Sequence, residues 1–375
     1  MDTTPSRRHV ELIDVGRLVA ALSVLSFHYF YNGIRNGKIH SGEYLPHVSY
    51  FAAYGYLGVD LFFMISGYVI FFSAQGRSSH DFIASRLTRI FPTFWGAVFI
   101  TSCYAYMFGS LGTEVTVRQM LANLLLFPQL FHEKFVDGVY WTLVYEIDFY
   151  ALIGLLLLSP FAGNLKQIAL FWPFAIAIAQ LSSHKHLPYL TPTHAFFAAG
   201  CLFAIIKTDR TPLSLSALAT AFVICIISTI GHTADVGSPF QRSSAAIGGI
   251  IVMMFAFFSL ANSIWMANFA IPGSRMAGNI TYPLYLIHAH IGYMTLSVLG
   301  NSPTGYILTI TVVFLLAITL HQLVERQLRD YWYRAFSRTV AFFLPSTKRW
   351  ASTQDPNTEV EIKNSPTLWS NRSTF

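Results

Sequence analysis

Ten apolar stretches of about 20 residues constrain this chain more than any other feature. They fall at roughly 12–33, 51–73, 91–109, 140–160, 166–182, 193–207, 212–231, 243–262, 279–299 and 304–324. At about 1.5 Å per residue, such a stretch can cross the roughly 30 Å hydrocarbon core of a bilayer. Nothing in that core bonds to a bare peptide group, so each span must satisfy its own backbone, as a helix does. The chain therefore reads as an all-α polytopic transmembrane helical bundle of about ten spans. It occupies residues 1–330, and 331–375 is a polar tail that reads as partly disordered. Composition agrees: 11% of residues are charged, against about 25% in soluble domains. The sixth window is short and the fifth carries Pro173. The stretch 118–132 is too short to span and reads as a lateral or re-entrant helix. The first window follows a short basic lead, has no small-residue cleavage pattern, and reads as a retained span rather than a signal peptide.

Lysine and arginine set the orientation. With the N-terminus inside, cytoplasmic segments receive Arg7, Arg8, Arg77, Arg86, Arg89, Lys166, Lys207, Arg210, Arg275, Arg326, Arg329, Arg334 and Arg338. The other side receives only Arg35, Lys38, Arg118, Lys134, Lys185 and Arg242. Both termini are thus expected in the cytoplasm. The net charge of +6 sits at span ends, which argues for a lipid bilayer and against nucleic acid as partner. Cys103, Cys201 and Cys225 lie in apolar runs without metal-ligand spacing and read as packing residues; no metal site is expected. No internal repeat is visible, so the signature of many secondary transporters is missing.

Four polar constellations interrupt the apolar background. Arg17 and His28 are eleven residues apart in the first window, which returns almost to the same azimuth about 16 Å along the axis. Ionisable groups in a span usually face a protein interior or a water-filled cavity; a snorkelling arginine with a core histidine is the bland alternative. The second constellation is Asp60 in the second window, with Ser66-Gly67 beyond it. Gly58 and Gly67 read as close-packing positions. The third is Arg86-Leu-Thr-Arg89-Ile-Phe-Pro92. It is either a positive-inside anchor, with Pro92 in the first turn of the next span, or an anion clamp, since arginine grips phosphate with a forked donor set. The fourth is Tyr140-Trp141-Thr142-Leu143-Val144-Tyr145-Glu146, running on to Phe149-Tyr150. Its aromatics suit a membrane interface or the apolar face of a sugar. Glu146 lies about 7–8 Å deeper than Trp141, at a depth expected to match that of His28.

Together these residues resemble the acyltransferase-3 family of integral membrane O-acyltransferases. The matching elements are Arg17 with ten residues to His28, then Gly58-Val-Asp60-Leu-Phe-Phe with Ser66-Gly67. Arg86-x-x-Arg89-Ile-x-Pro92 and Trp141-Thr-Leu-x-x-Glu146 with Phe149-Tyr150 come next. Tyr282-Pro-Leu-Tyr285-Leu-Ile-His288 and Val324-Glu325-Arg326 close the series. They occur in family order over residues 10 to about 330. Thr142 and Pro283 depart from the family's usual serines, and Arg326-Gln327 stands where a proline is common. The short chain beyond the last span reads as a stand-alone member without an extracytoplasmic esterase-like domain.

The resemblance implies transfer of an acyl group, acetyl by default, from acetyl-CoA or another acyl-CoA to a hydroxyl of a cell-surface or lipid-linked carbohydrate. It also implies a bacterial inner membrane. The coenzyme is a donor substrate, and no tightly bound cofactor is expected. Arg17, Arg86 and Arg89 become candidates for binding the coenzyme's phosphates. Tyr140, Trp141, Tyr145, Tyr282 and Tyr285 become candidates for substrate binding. His28 is the candidate base or acyl carrier. Glu146 or Asp60 is expected to orient its imidazole, and His288 is a further catalytic candidate. Leu61, Phe62 and Phe63 are expected to constrict a path joining the two membrane faces. The competing class, a proton-coupled transporter of a sugar or lipid-linked substrate, would also use intramembrane His, Asp and Glu.

Overall fold

A computed structural model describes residues 11–39, 42–109, 112–182, 187–231, 240–263 and 271–344. Among these, twelve helices and no strands occur. They are α1 (Glu11–Arg35), α2 (Pro46–Ala74), α3 (Ser79–Phe108), α4 (Val117–Asn123), α5 (Gly138–Leu158) and α6 (Ala162–Leu181). The series continues with α7 (Pro192–Ile206), α8 (Pro212–Ile230), α9 (Ser244–Ala261), α10 (Ser274–Leu299), α11 (Pro303–Gln327) and α12 (Arg329–Phe343). Eight of them, α1–α3, α5, α6, α8, α9 and α11, are long and apolar enough to cross a membrane. The 15-residue α7 and the 26-residue α10 occupy the remaining two windows. Arg7, Arg8, His40, Lys185 and the chain after Leu344 lie outside the described residues, as do His184, His186 and His232, which the sequence places in loops.

Local chemistry sets the helix ends. Thr211 and Ser302 cap helices whose first residue is proline, accepting from Ser214 N at 3.2 Å and Gly305 N at 3.0 Å. Such a pair satisfies one orphan donor and removes another. The third span begins well before the expected residue 91. Ser78 accepts from Asp81 N at 3.1 Å and donates to its carboxylate at 2.9 Å, so the helix starts at Ser79 and runs through Pro92. Arg86 and Arg89 are therefore on the helix itself. Pro283 likewise lies well inside α10 and Pro173 inside α6. The 118–132 stretch holds only the seven-residue α4 and a 3₁₀ turn, Pro128–Phe131. Asn123 ties it down, donating to Lys134 O and accepting from Val136 N, both at 2.9 Å.

Lipid tails are as apolar as leucine, so helices in a membrane associate through close packing and polar contacts. At the α2–α7 crossing Gly67 lies against the carbonyl of Phe197 and Gly200 against that of Met64, so a Cβ at either position would overlap backbone. A Cβ on Gly58 would fall 2.6 Å from Ala20 O, where α2 crosses α1. Asn262 completes the seam, accepting from Tyr68 OH at 2.9 Å and donating to Phe203 O at 2.6 Å. Cys201 and Cys225 pack inside as expected, whereas Cys103 is exposed on the outside of α3.

One apolar core gathers α2, α7, α8 and α9; a second gathers α1, α3, α10 and α11. The amphipathic α12 packs on α3 through Trp332 and Phe336 against Trp95, with centroids 5.8 and 6.1 Å apart. Two helices widen to π geometry, α1 at His28–Asn32 and α11 at His321–Gln327. Such turns are rare and concentrate at functional sites. Here they hold His28 and Glu325.

Candidate active site

Two chambers sit one above the other between the apolar cores. Arg17, Ser66, Arg86, Arg89, Glu146, Tyr150 and Tyr282 line the first, of about 110 Å³. The second, of about 540 Å³, is lined by His28, Asn32, Lys38, Asp60, Asp137, Trp141 and Tyr293. Val59 and Tyr285 border both. The linings come from successive stretches of the same helices: Arg17 against His28 on α1, Ser66 against Asp60 on α2, Glu146 against Trp141 on α5, Tyr282 against Tyr293 on α10. The chambers are thus displaced along the bundle toward opposite ends.

The partition is aromatic. The Tyr285 hydroxyl lies 2.9 Å from Thr142 Oγ1, and its ring meets Phe62 edge-on at 5.4 Å. Phe62 was expected in this role. Leu61 instead packs into the first core, and Phe63 lines the arginine chamber while its ring stacks on Phe197 at 4.7 Å, because successive positions of α2 point to different neighbours.

In the arginine chamber the three guanidinium groups converge from two helices. Arg17 Nη1 bonds Asp14 at 3.0 Å. Arg89 lies 3.7 Å from Glu325, whose carboxylate also accepts from Thr93 Oγ1 at 3.2 Å and bonds His321 Nδ1 at 2.6 Å. Asp14 and Glu325 stand behind the chamber wall. Among the described residues the only acid on the wall is Glu146, bonded to the Tyr150 hydroxyl and, at 3.4 Å, to Ser66 Oγ. Arg86 reaches Ser85 Oγ at 3.2 Å, but its Nε is buried without an acceptor. An unmet buried donor is costly, and three guanidinium groups on one wall suit an anionic ligand.

In the histidine chamber, His28 Nδ1 is hydrogen-bonded to the Tyr293 hydroxyl. Asn32 Nδ2 lies 3.2 Å from that hydroxyl and 3.3 Å from Nδ1. His28 Nε2 makes no hydrogen bond among the described residues. His288 stands behind His28, ring centroids 5.1 Å apart, outside the lining of both chambers. Its Nδ1 is held by Tyr285 O at 2.8 Å and its Nε2 is buried and unpartnered. Tyr29 donates to His288 O at 2.8 Å, which fixes the α1–α10 register behind the site.

The expected constellations are therefore redistributed. Asp60, Trp141 and Tyr285 join His28; Arg17, Arg86, Arg89, Glu146 and Tyr282 assemble one level away. Glu146 was expected at the depth of His28, but it lines the arginine chamber, beyond the Tyr285 partition, and His28 shares its chamber with Trp141 instead. Neither Glu146 nor Asp60 touches the His28 ring; Tyr293 and Asn32 do. Tyr140 is fully buried against Phe94 at 5.1 Å and borders neither chamber. Tyr145 packs against Trp141 and His194, at 5.7 and 5.8 Å, and also stays out of the linings. Asn32, one helical turn beyond His28, was within reach of sequence reasoning through its i,i+4 spacing. Tyr293, 265 residues away, carried no such signal. Asp137 was also missed. It is buried, lines the histidine chamber, and accepts from His290 N at 2.8 Å and Val139 N at 3.1 Å. Among the described residues no cluster of His, Cys, Asp or Glu could hold a metal ion.

A family described as an acyltransferase domain matches residues 10–325. The chain is similar to the exopolysaccharide production protein ExoZ of Rhizobium meliloti, 26% identical over 293 residues, covering 73% of this chain and 89% of that protein. It is 24% identical over 407 residues to the putative peptidoglycan O-acetyltransferase YrhL of Bacillus subtilis, across 93% of this chain and 59% of that one. It is 22% identical over 372 residues to the peptidoglycan O-acetyltransferase OatA of Listeria monocytogenes, across 87% and 57%. The chain thus spans little more than half the length of those last two relatives. No solved structure matches it.

Proposed function

The chain belongs to the acyltransferase-3 family and is a multi-pass membrane acyltransferase; from that premise we propose that it carries an acyl group, acetyl by default, from cytoplasmic acyl-CoA to a hydroxyl of a carbohydrate outside the bacterial inner membrane. One observation carries the reading: an arginine-lined chamber and a histidine-lined chamber are displaced toward opposite ends of the bundle and share the wall residues Val59 and Tyr285. The lysine and arginine bias supports an orientation with the arginine end inside, on the side of the coenzyme.

Arg86, Arg89 and Arg17 suit the anionic end of the donor. At about 110 Å³ the arginine chamber is too small for the coenzyme's nucleotide, so the nucleotide stays at the mouth and the reactive arm enters as the chamber walls widen around it. The arm passes the Tyr285 partition and presents the thioester to His28. The carbohydrate enters the larger chamber, where Trp141 offers an exposed ring and Asp60, Asp137 and Asn32 offer polar groups.

His28 acts with Nδ1–H donated to the Tyr293 oxygen, which leaves Nε2 as the base. Nε2 takes the proton of the sugar hydroxyl. The oxygen attacks the thioester carbonyl, the new C–O ester bond forms, and the C–S bond breaks. The departing sulfur takes the proton from Nε2, so the products are the ester and the free coenzyme thiol. Direct transfer needs one meeting point, which the shared wall supplies. His288, outside both chambers, supports the back of the His28 ring.

Release of free thiol from acetyl-CoA by the purified protein, with acceptor present, tests the reading. Wild type should release thiol and His28→Ala should not, at equal yield of folded protein. Equal rates in the two proteins would remove His28 from the reaction.

A further inference from the structure

A third cavity, of about 310 Å³, lies between the first half of α3 and the second half of α5. Phe82, Leu87 and Phe91 form one wall, and Ile147, Gly154 and Leu158 form the other. Its α5 wall, from Ile147 to Leu158, rises about 16 Å, which suits an extended hydrocarbon chain. Leu155, also on this wall, is 60% exposed on the outside of the bundle, so the groove is reached from the membrane. Only two lining residues are polar, Arg86 and Tyr150, and both also line the arginine chamber.

A guanidinium in the wall of an apolar groove selects its occupant. A neutral hydrocarbon would leave the guanidinium without an anionic partner, and a soluble anion would leave the apolar walls wet. An amphiphile with one apolar chain in the groove and an anionic head at its side satisfies both. The Arg86 guanidinium lies over the rings of Phe82, at 5.9 Å, and Tyr150, at 5.7 Å, which fixes it at this point. Its buried Nε has no acceptor. Gly154 keeps the groove open: a Cβ there would meet Ile83 at 3.4 Å, an ordinary contact, so a larger side chain can enter without disturbing the backbone.

We propose that this groove binds one acyl chain of an anionic phospholipid whose phosphate is held by Arg86. The site faces the membrane and adjoins the arginine chamber, with which it shares Arg86, Ile90 and Tyr150, so a lipid phosphate and an anion in that chamber compete for Arg86.

Native mass spectrometry of the full-length protein in neutral detergent tests it, with phosphatidylglycerol and phosphatidylcholine of identical chains as probes. Wild type should retain one phosphatidylglycerol through washing that removes phosphatidylcholine. Gly154→Leu, which fills the groove, should lower that retention by about tenfold or more, the consequence of losing some 1.4 kcal/mol of binding. Arg86→Gln should abolish the preference for phosphatidylglycerol over phosphatidylcholine. The thermal midpoint of the wild type should rise on adding phosphatidylglycerol, and that of Gly154→Leu should not. Should Gly154→Leu fail to fold, Ala151→Phe blocks the same groove from an exposed position. Equal retention of the two lipids by wild type, or undiminished retention in a folded groove-filled variant, would overturn the proposal.

Discussion

Replacing Tyr293 by phenylalanine removes one oxygen and keeps the ring. The ring packs edge-on against His28, centroids 5.8 Å apart, with Lys38 Nζ 5.4 Å from its centre, and these contacts survive. What is lost is the acceptor that holds His28 Nδ1 and also meets Asn32 Nδ2 at 3.2 Å. Leaving buried partners of this kind unmet costs about 1–3 kcal/mol. Asn32, at 3.3 Å from Nδ1, can recover part of it but brings the wrong polarity, because an amide nitrogen donates only. A net loss of about 1.4–2.7 kcal/mol in positioning of the base corresponds to a fall in kcat of roughly ten- to a hundredfold. The donor KM should stay within about twofold, because Tyr293 is not in the wall of the arginine chamber. The assay is thiol release from acetyl-CoA at saturating acceptor, with wild type and Tyr293→Phe matched for folded protein. Asn32→Ala should be milder, and the double variant should fall short of the sum, as expected for one network. A kcat unchanged in Tyr293→Phe would refute the role given to this bond. A raised donor KM with unchanged kcat would place Tyr293 on the donor path instead.

Arg89→Ala should raise the donor KM with little change in kcat, and Arg89→Lys should rescue it only in part, because the fork is lost. Glu325→Gln should weaken donor binding in the same direction by less, since it frees Arg89 without removing it; titration of coenzyme A by calorimetry separates the three. Gly200→Ala adds a single carbon where the Met64 carbonyl already sits, and should cost about 3 kcal/mol or more, seen as loss of the monodisperse peak in size-exclusion chromatography. With Cys103, Cys201 and Cys225 replaced, a cysteine at Phe161 should react with an impermeant reagent only from the cytoplasm and one at Gln129 only from outside. The reverse pattern would invert the bundle.

The span positions were legible because each rests on a local quantity, the apolar content of about 20 consecutive residues. Where a local rule had two readings, the choice went astray. Pro92 is favourable in a first helical turn, yet the Ser78 cap, fourteen residues earlier, had already started the helix. Arg17, Arg86 and Arg89 were identified as a group, and the structure brings them to one wall. Glu146 was given the wrong neighbour. Counting residues down α5 fixed its depth relative to Trp141, but the depth of His28 was fixed against another helix, and nothing in the sequence ties the two scales together. The true partner of His28 shows the same limit: Tyr293 meets it only through the docking of α10 on α1. The α12 helix was overlooked because its apolar face is a narrow stripe, below any threshold for a span, and its aromatics find Trp95 only in the folded bundle.

The central claim is transfer across the membrane through His28, and sealed vesicles from the producing bacterium test it directly. Acetyl-CoA labelled in the acetyl group is added outside either inside-out or right-side-out vesicles, and label is counted in the carbohydrate fraction. Inside-out vesicles carrying the wild-type protein should transfer label, right-side-out vesicles should transfer none until permeabilised, and His28→Ala should be inactive in both. Transfer from intact right-side-out vesicles would contradict the donor side, and full transfer by a folded His28→Ala protein would contradict the site.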